Sequence, residues 1–369
     1  MENRPQRPAR LLSLDALRGF DMFWIMSGEQ IAHALAKTTH WAPAVWLSNQ
    51  LHHTVWDGFT FYDMIFPLFL FIAGVSLPFS LEGKKVNRQL YITLIRRTVL
   101  LILLGFVVNG ILKWDGYSNT RFASVLGRIG LAWFFAALIY LNCSLKGQLA
   151  WFLGLLIGYW ALMVLVPVPG YGAGVLTMEG SLESYVDRLL LPGRLHDKIH
   201  DPEGILSTLP AIGTAMLGIF SGTWLKWNNV ERSMLKKGIV LFAAGLILLL
   251  LGTLWGQVFP INKRLWSSSF VLYAGGWSLL FLSLFYLLID VAGWKKLAFP
   301  FIVIGLNSIA IYLASEGLVD FTYTANYLFG GLIHRIPENW QAVWAAISVT
   351  TVQWLALYFL YRKRIFFKI

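Results

Sequence analysis

Residues 59–76 read FTFYDMIFPLFLFIAGVS, and their reading decides the fold. With the residues up to Leu81 they make a run of about 20 mostly apolar positions, enough for an α-helix to cross a hydrocarbon layer of roughly 30 Å. Apolar side chains fall on every face of such a helix, so it must be surrounded by protein or lipid. Asp63 and Pro67 interrupt it. A proline at that depth frees a backbone carbonyl, tolerable only where protein or a cavity satisfies the loose group, and Asp63 is expected to be buried and paired. Nine further runs of similar character lie outward from this one, at 15–35, 93–112, 129–145, 149–167, 206–225, 238–259, 270–291, 300–318 and 341–361, with the central run at 60–81. The expected architecture is all-α: one polytopic membrane domain over residues 1–369, about ten transmembrane helices, and a long outward-facing loop at 168–205.

Composition agrees along the whole chain. Of 369 residues 57% are hydrophobic and 13% charged, where a soluble protein carries about 25% charged. Mean hydropathy is +0.62. A soluble enzyme, a disordered chain and a fibrous chain are excluded. The 17 Trp and 14 Tyr suit membrane–water interfaces. A lone Cys143 excludes an intramolecular disulfide and a cysteine metal cage.

The net charge of +11 could point to nucleic acid, but the basic residues sit between hydrophobic runs. With ten spans both termini share a side. Placing them inside puts Arg4, Arg7, Arg10, Lys84, Lys85, Arg88, Arg96, Arg97, Lys146, Lys226, Arg232, Lys236, Lys237, Lys295, Lys296, Arg362, Lys363, Arg364 and Lys368 on that face, and Arg18 near it. The other ten basic residues lie outward, so the positive-inside rule makes both termini cytoplasmic. No nucleic-acid partner is expected; the basic inner loops can attract anionic membrane lipid. The run after Met1–Arg10 holds four charges and lacks a small-residue cleavage site, so no cleaved signal peptide is expected. All seven histidines fall on or near the outer side, where proton-transfer chemistry would operate.

The first span contains Asp15, Arg18, Asp21 and Glu29. Charges inside a bilayer must face protein or water, so they imply a polar cavity or a structural ion pair. Asp15, Arg18 and Asp21 are three residues apart and can pair along one helix face. Gly19 permits close helix approach. In the ninth span GLNSIAIYLASE brings Asn307, Ser308, Tyr312, Ser315 and Glu316 into an apolar run; spacing alone favours Asn307 and Ser308 as hydrogen-bonding glue between helices. His196 and His200 are spaced i, i+4, but Arg194 and Lys198 interleave them and Pro202 follows, so no metal site is expected.

Six blocks in order resemble the transmembrane acyltransferases related to heparan-α-glucosaminide N-acetyltransferase: RLLSLDALRGF (10–20), HTVWDGFTFYDMIFPLFLFIAGVS (53–76), RFASVLGRIGLAWF (121–134), DPEGILST (201–208), PINKRLWSSSFVL (260–272) and GLNSIAIY (305–312). The resemblance implies a polytopic enzyme carrying acetyl from cytosolic acetyl-CoA to an amino sugar or glycan across the membrane. It implies a catalytic His53, the histidine before the Trp-Asp-Gly turn, with His52 as a fallback. An imidazole there can act as a base on the acceptor amine or attack the thioester and carry the acetyl itself. Asp57 can orient the ring if the stretch is helical.

Asn262, Lys263 and Trp266 are candidates for binding sugar or steadying the thioester oxygen, with Lys263 equally an interfacial anchor. Asp201 and Glu203 either cap the next helix or, with Asp63, bind a cationic acceptor. Arg18, Arg128, Asn307 and Ser308 are candidate acetyl-CoA contacts, while Arg96 and Arg97 serve as inside determinants or help admit CoA. The animal members have Asn followed by glycines where this chain has Ser27, Gly28 and Glu29, which would alter an acceptor pocket there. The expected setting is a bacterial inner membrane, with a cell-wall or scavenged amino sugar as acceptor, and by analogy a homodimer. A transporter of an amino sugar or other small solute is the alternative, because broken, charge-bearing helices also build carrier sites.

Overall fold

The computed structural model describes residues 11–114, 116–227 and 233–367. Arg4, Arg7, Arg10, Arg232 and Lys368 of the side assignment lie outside the described residues. The described chain forms fifteen α-helices: α1 Leu12–Phe23, α2 Glu29–Thr39, α3 Ala42–Gln50, α4 Phe61–Ser80, α5 Arg88–Val108, α6 Val125–Asn142, α7 Leu145–Leu165, α8 Leu182–Leu190, α9 Thr208–Lys226, α10 Met234–Trp255, α11 Ser268–Phe285, α12 Lys295–Leu306, α13 Ser308–Leu313, α14 Phe321–Ile333 and α15 Glu338–Arg362. Among the described residues eight helices are long and apolar enough to cross a membrane, or nine if α12 and the segment after it form one bent span. The run expected at 15–35 is a single helical path from α1 through a π-helical turn at Trp24–Gly28 into α2.

Burial separates a centre from a rim. In α4 and α9, 78% and 72% of the spanning window is buried, against 22% in α5 and α10. The centre is assembled backbone to backbone: a Cβ on Gly74 of α4 would lie 2.2 Å from Ala215 O of α9, and one on Gly218 would lie 2.0 Å from Phe71 O. Lipid tails are as apolar as leucine, so close van der Waals packing, not water exclusion, holds such helices together. The same device joins α1 to α12, where a Cβ on Gly19 would meet Phe301 O at 1.7 Å and one on Gly305 would meet Asp15 O at 1.9 Å.

Two breaks shape the bundle. Between α12 and α13 the axis bends by 63° at Asn307, whose Nδ2 donates to Ile365 O (3.0 Å) and whose Oδ1 accepts from Phe367 N (3.0 Å). Returning chain beyond α15 thus satisfies the polar group at the bend. The second break is the π-helical turn at Trp24–Gly28. There Ser27 Oγ donates to Gln353 Oε1 of α15 (2.7 Å), so Ser27 faces helix packing instead of a pocket.

The charges of α1 divide. Arg18 pairs with Asp15 (3.5 Å) and donates to Ser76 Oγ (2.9 Å). Asp21 is not part of that pair, contrary to the spacing argument: it is 1% exposed and neither carboxylate oxygen has a hydrogen-bond partner among the described residues. The residues at 168–205 are no bare loop. They carry α8 and return against the starts of α6 and α9 through Arg121–Gly193 pairing and Arg128.

Candidate active site

The turn 51–60 is not helical; it is a chain of bends that ends where Thr60 precedes α4. Asp63, in the first turn of α4, is the hub of this turn. Its Oδ2 accepts from Thr60 N (3.2 Å), Thr60 Oγ1 (3.1 Å), Thr54 N (3.3 Å) and Thr54 Oγ1 (3.1 Å), and its Oδ1 lies 2.8 Å from His53 Nδ1. A carboxylate at that helix position meets N–H groups with no intrahelical partner, so one residue both caps α4 and orients the imidazole. With Nδ1–H donated to Asp63, Nε2 carries the free lone pair.

Lys263, from the segment between α10 and α11, places its Nζ 3.1 Å from His53 Nδ1, 3.2 Å from His53 Nε2 and 3.7 Å from Asp63 Oδ1. Burial pulls the Lys263 ammonium below its ordinary pKa, against the pull of Asp63 and Glu203. The His53 ring packs at 4.7 Å from that of Tyr62, and 46% of its side-chain surface is exposed.

These groups open on a cavity of about 320 Å³ that also receives Arg121, His196, Glu203, Arg264, Tyr312 and Glu316. On its wall Arg121 is forked between Asp201, at 2.8 and 2.5 Å, and Glu203. Burial would lower the Arg121 pKa, but the two carboxylates outweigh it and hold the guanidinium above its usual range. The Asp201 carboxyl is likewise buried, yet Arg121 and the backbone N–H groups of Glu203 and His196 hold it below the ordinary value. Beneath this cavity a small apolar space of about 40 Å³ continues between α1, α4, α6 and α13, sharing Ile25, Phe66, Val125 and Tyr312 with it.

The sequence candidates separate accordingly. His53, Lys263, Asp63 and Glu203 come together in the cavity. Asp57 does not touch the ring, because the stretch is not helical; its Oδ1 accepts from Asn262 Nδ2 (3.0 Å), and Gly58 N donates to Ile261 O (3.0 Å). Asp57 and Asn262 thereby dock the His53 turn onto the Lys263 segment. Asn262 is fully buried and spends Oδ1 on Leu265 N.

Asp201 is sealed behind Arg121 and caps no helix: it accepts from His196 N and Glu203 N, both at 3.0 Å. Trp266 is 1% exposed, donating Nε1 to Thr214 Oγ1 (3.1 Å) and lying against Phe66. Arg128 is buried beneath the wall, with Nη2 on Gly204 O (2.9 Å) and Ser207 Oγ (2.5 Å). Arg18, Asn307 and Ser308 are engaged or buried elsewhere and do not line the cavity. Arg97 stacks on Trp133 at 4.1 Å. His52 turns away and stacks on His33 at 4.4 Å.

A second polar cluster lies behind the wall. His200 Nδ1 is 2.9 Å from Glu183 Oε2 and 2.9 Å from Ser184 Oγ, with the His200 and Glu183 side chains fully buried. His200 and His196 are not on a helix, and they diverge: His196 lines the cavity while His200 packs against Trp56, ring to ring at 5.3 Å. Burial raises the Glu183 carboxyl to about 7 and, with Glu183 beside it, the Asp187 carboxyl to about 9, while it lowers His200 to about 4.

Residues 10–164 match a family described as a domain of unknown function, DUF5009. The chain is 28% identical to human heparan-alpha-glucosaminide N-acetyltransferase across 98% of this chain and 60% of the human protein, and 29% identical to the mouse protein across 86% and 56%. The chain is homologous to these N-acetyltransferases. It spans about 60% of the length of the human relative. Tyr62, His196, Arg264, Tyr312 and Glu316 had no place in the sequence reading of the site, although Tyr312 and Glu316 belong to a run already noted for its polar residues.

Proposed function

We propose that this protein is a transmembrane acetyltransferase that moves an acetyl group from cytoplasmic acetyl-CoA to the amino group of a small glucosamine-type sugar on the opposite face, with His53 as the general base. The observation that carries it is the Asp63–His53–Lys263 cluster, in which one carboxylate fixes the tautomer of a half-exposed imidazole at the edge of a cavity. Chains homologous to this one are named as N-acetyltransferases, which supports the reaction class.

The chemistry follows from the residues. Acetyl-CoA supplies the acetyl group as a thioester; an ammonium acceptor and that thioester give an amide, a free thiol and one proton. The ammonium cannot attack until it loses a proton, and His53 Nε2 is the lone pair available to take it. Asp63 stabilises the resulting imidazolium, and Lys263, its ammonium weakened by burial, exchanges the proton onward to water. As the nitrogen bonds to the acetyl carbon and the carbon–sulfur bond breaks, the second proton passes through His53 to the sulfur. From the cavity a narrow apolar space continues between α1, α4, α6 and α13; at about 40 Å³ it would have to widen to admit a pantetheine arm. In this reading the His53 end faces outward, which the positive-inside count supports, and the membrane is the bacterial inner membrane. A homodimer remains an expectation from the resemblance alone.

A carrier is the less supported reading. Carriers place broken helices at their substrate site, whereas the break at Asn307 is filled by residues 365–367. The test is release of free CoA by purified protein in detergent, with glucosamine and related amino sugars as acceptors. Acceptor-dependent release is the expected result. Absence of release with every acceptor, in protein that still melts cooperatively, would sink the proposal.

A further inference from the structure

Among the described residues, every lysine and arginine lining the His53 cavity is engaged by a carboxylate, and one carboxylate of the lining has no cation. Lys263 faces Asp63, Arg121 holds Asp201 and Glu203, and Arg264 holds Asp197, so every lysine and arginine of the wall already has a carboxylate. Glu316 lines the same cavity and, among the described residues, makes neither an ion pair nor a side-chain hydrogen bond with a cation. Asp63 is spent on His53, Thr54 and Thr60, and Glu203 on Arg121. Among the described residues, Glu316 is the carboxylate of this cavity's lining that has no such partner.

Its position is set by the fold. The 63° bend after α12 redirects the chain, and the π-helical turn Ala314–Leu318 carries Glu316 at the cavity's edge, with Tyr312 lining the same cavity one turn earlier. π-Turns inside helices are frequent at functional sites because they re-aim a side chain. Glu29, just past the other π-helical turn, adds a second negative charge within electrostatic reach.

We propose that Glu316 binds the acceptor's ammonium and thereby separates substrate from product; this rests on the acetyltransferase reading. An amino sugar reaches the cavity as a cation and leaves as a neutral amide. The unmatched carboxylate attracts the cation into the cavity that His53 borders. Once His53 has taken the proton and the nitrogen has bonded to the acetyl carbon, no positive charge remains for Glu316, and the product loses the contact that held the substrate. Glu316 is thus a specificity-determining residue: it favours amines over hydroxyl acceptors and over their own acetylated forms.

The test is equilibrium binding to the full chain in detergent, without acetyl-CoA, followed by tryptophan fluorescence. Glucosamine and N-acetylglucosamine are the two probes, and wild type, Glu316→Gln and Glu316→Asp the three proteins. Wild type is expected to favour glucosamine by at least tenfold, with the preference shrinking as salt rises. Glu316→Gln is expected to bind both sugars alike, keeping the wild-type affinity for N-acetylglucosamine, which shows the cavity intact; Glu316→Asp is expected to recover part of the preference. Equal binding by wild type, or a preference that survives in Glu316→Gln, overturns the proposal. The two readings fail separately. CoA release with a preference that survives Glu316→Gln leaves the acetyltransferase standing and removes Glu316. A preference abolished by Glu316→Gln, with no CoA release for any acceptor, keeps the ammonium site and removes the transferase.

Discussion

Two histidines in this protein carry the same bond and have opposite fates. His53 Nδ1 lies 2.8 Å from Asp63, and His200 Nδ1 lies 2.9 Å from Glu183. His53 keeps 46% of its side-chain surface and faces a cavity, whereas His200 keeps none. The His53 pair borders a cavity lined by charged groups. The His200 pair sits among carboxyls that burial holds toward the neutral form. A histidine–carboxylate distance therefore says nothing about chemistry until access to the other ring nitrogen is known. For His200 that nitrogen is buried and has no hydrogen-bond partner among the described residues.

The sharpest way to break the comparison is to delete each ring. His53→Ala is expected to lower acetyl transfer by about 10² to 10⁴-fold, the range for loss of a general base, with little change in melting temperature because the ring is half exposed. His200→Ala is expected to do the reverse. It strands Glu183 and Ser184 in a dry site and costs about 1–3 kcal/mol of stability, while the turnover of protein that remains folded changes little. If both variants lose activity equally at equal stability, access is not what separates them. Asp63→Asn should follow His53→Ala at a smaller loss. It keeps an acceptor for Thr60 N but can no longer fix Nδ1–H or stabilise the imidazolium. Its pH–rate profile should shift along with kcat, which a purely structural role for Asp63 would not produce.

The fold was legible in the sequence because hydrophobic length is a one-dimensional property: the runs at 60–81, 93–112, 129–145, 149–167, 206–225, 238–259 and 270–291 coincide with α4, α5, α6, α7, α9, α10 and α11 plus the turn that ends it, to within a few residues. The site was legible only in part. His53 and Lys263 stood in recognisable blocks, but which carboxylate meets His53 depends on a turn. Helical spacing offered Asp57, four residues on; the bends at 54–60 fold the chain back so that Asp63, ten residues on, arrives instead. Trp266, Asn262 and Asp201 carry polar atoms in the right blocks, yet all three are spent on protein partners, and sequence spacing does not distinguish a spent donor from a free one. Glu316 escaped because its exposure depends on the bend at Asn307, which composition does not encode.

A pH scan sharpens the contrast without mutation. The folded protein holds protons on Glu183 to about pH 7 and on Asp187 to about pH 9, whereas unfolded carboxyls release theirs near pH 4. Across that window the folded state binds more protons, so stability falls as pH rises. His200, neutral in the fold down to about pH 4 and titrating near 6.5 when unfolded, opposes this below pH 6.5 and no longer does so above it. The melting temperature in detergent should therefore decline between about pH 6.5 and 9. Asp187→Asn should flatten the upper part of that decline while leaving the His53 chemistry in place. A wild-type curve that is flat over the same range would mean that the cluster is not the dry, protonated one described here.

The smallest effect belongs to the joint between the two regions. Arg264 lines the His53 cavity and pairs with Asp197, three residues before His200, and both side chains keep about a quarter of their surface. Partly exposed pairs of this kind contribute about 0–1 kcal/mol, because water and side-chain entropy offset most of the attraction. Asp197→Asn should then change stability by less than about 1 kcal/mol, judged from the thermal midpoint. It should also unmatch Arg264, placing a free positive charge on the wall of the cavity that Glu316 lines. A cationic acceptor would bind more weakly to that wall, and the loss should fade as salt screens it. A destabilisation of several kcal/mol instead would show that the two histidine sites are mechanically one unit, and the contrast between an open pair and a sealed pair would have to be redrawn as two ends of a single network.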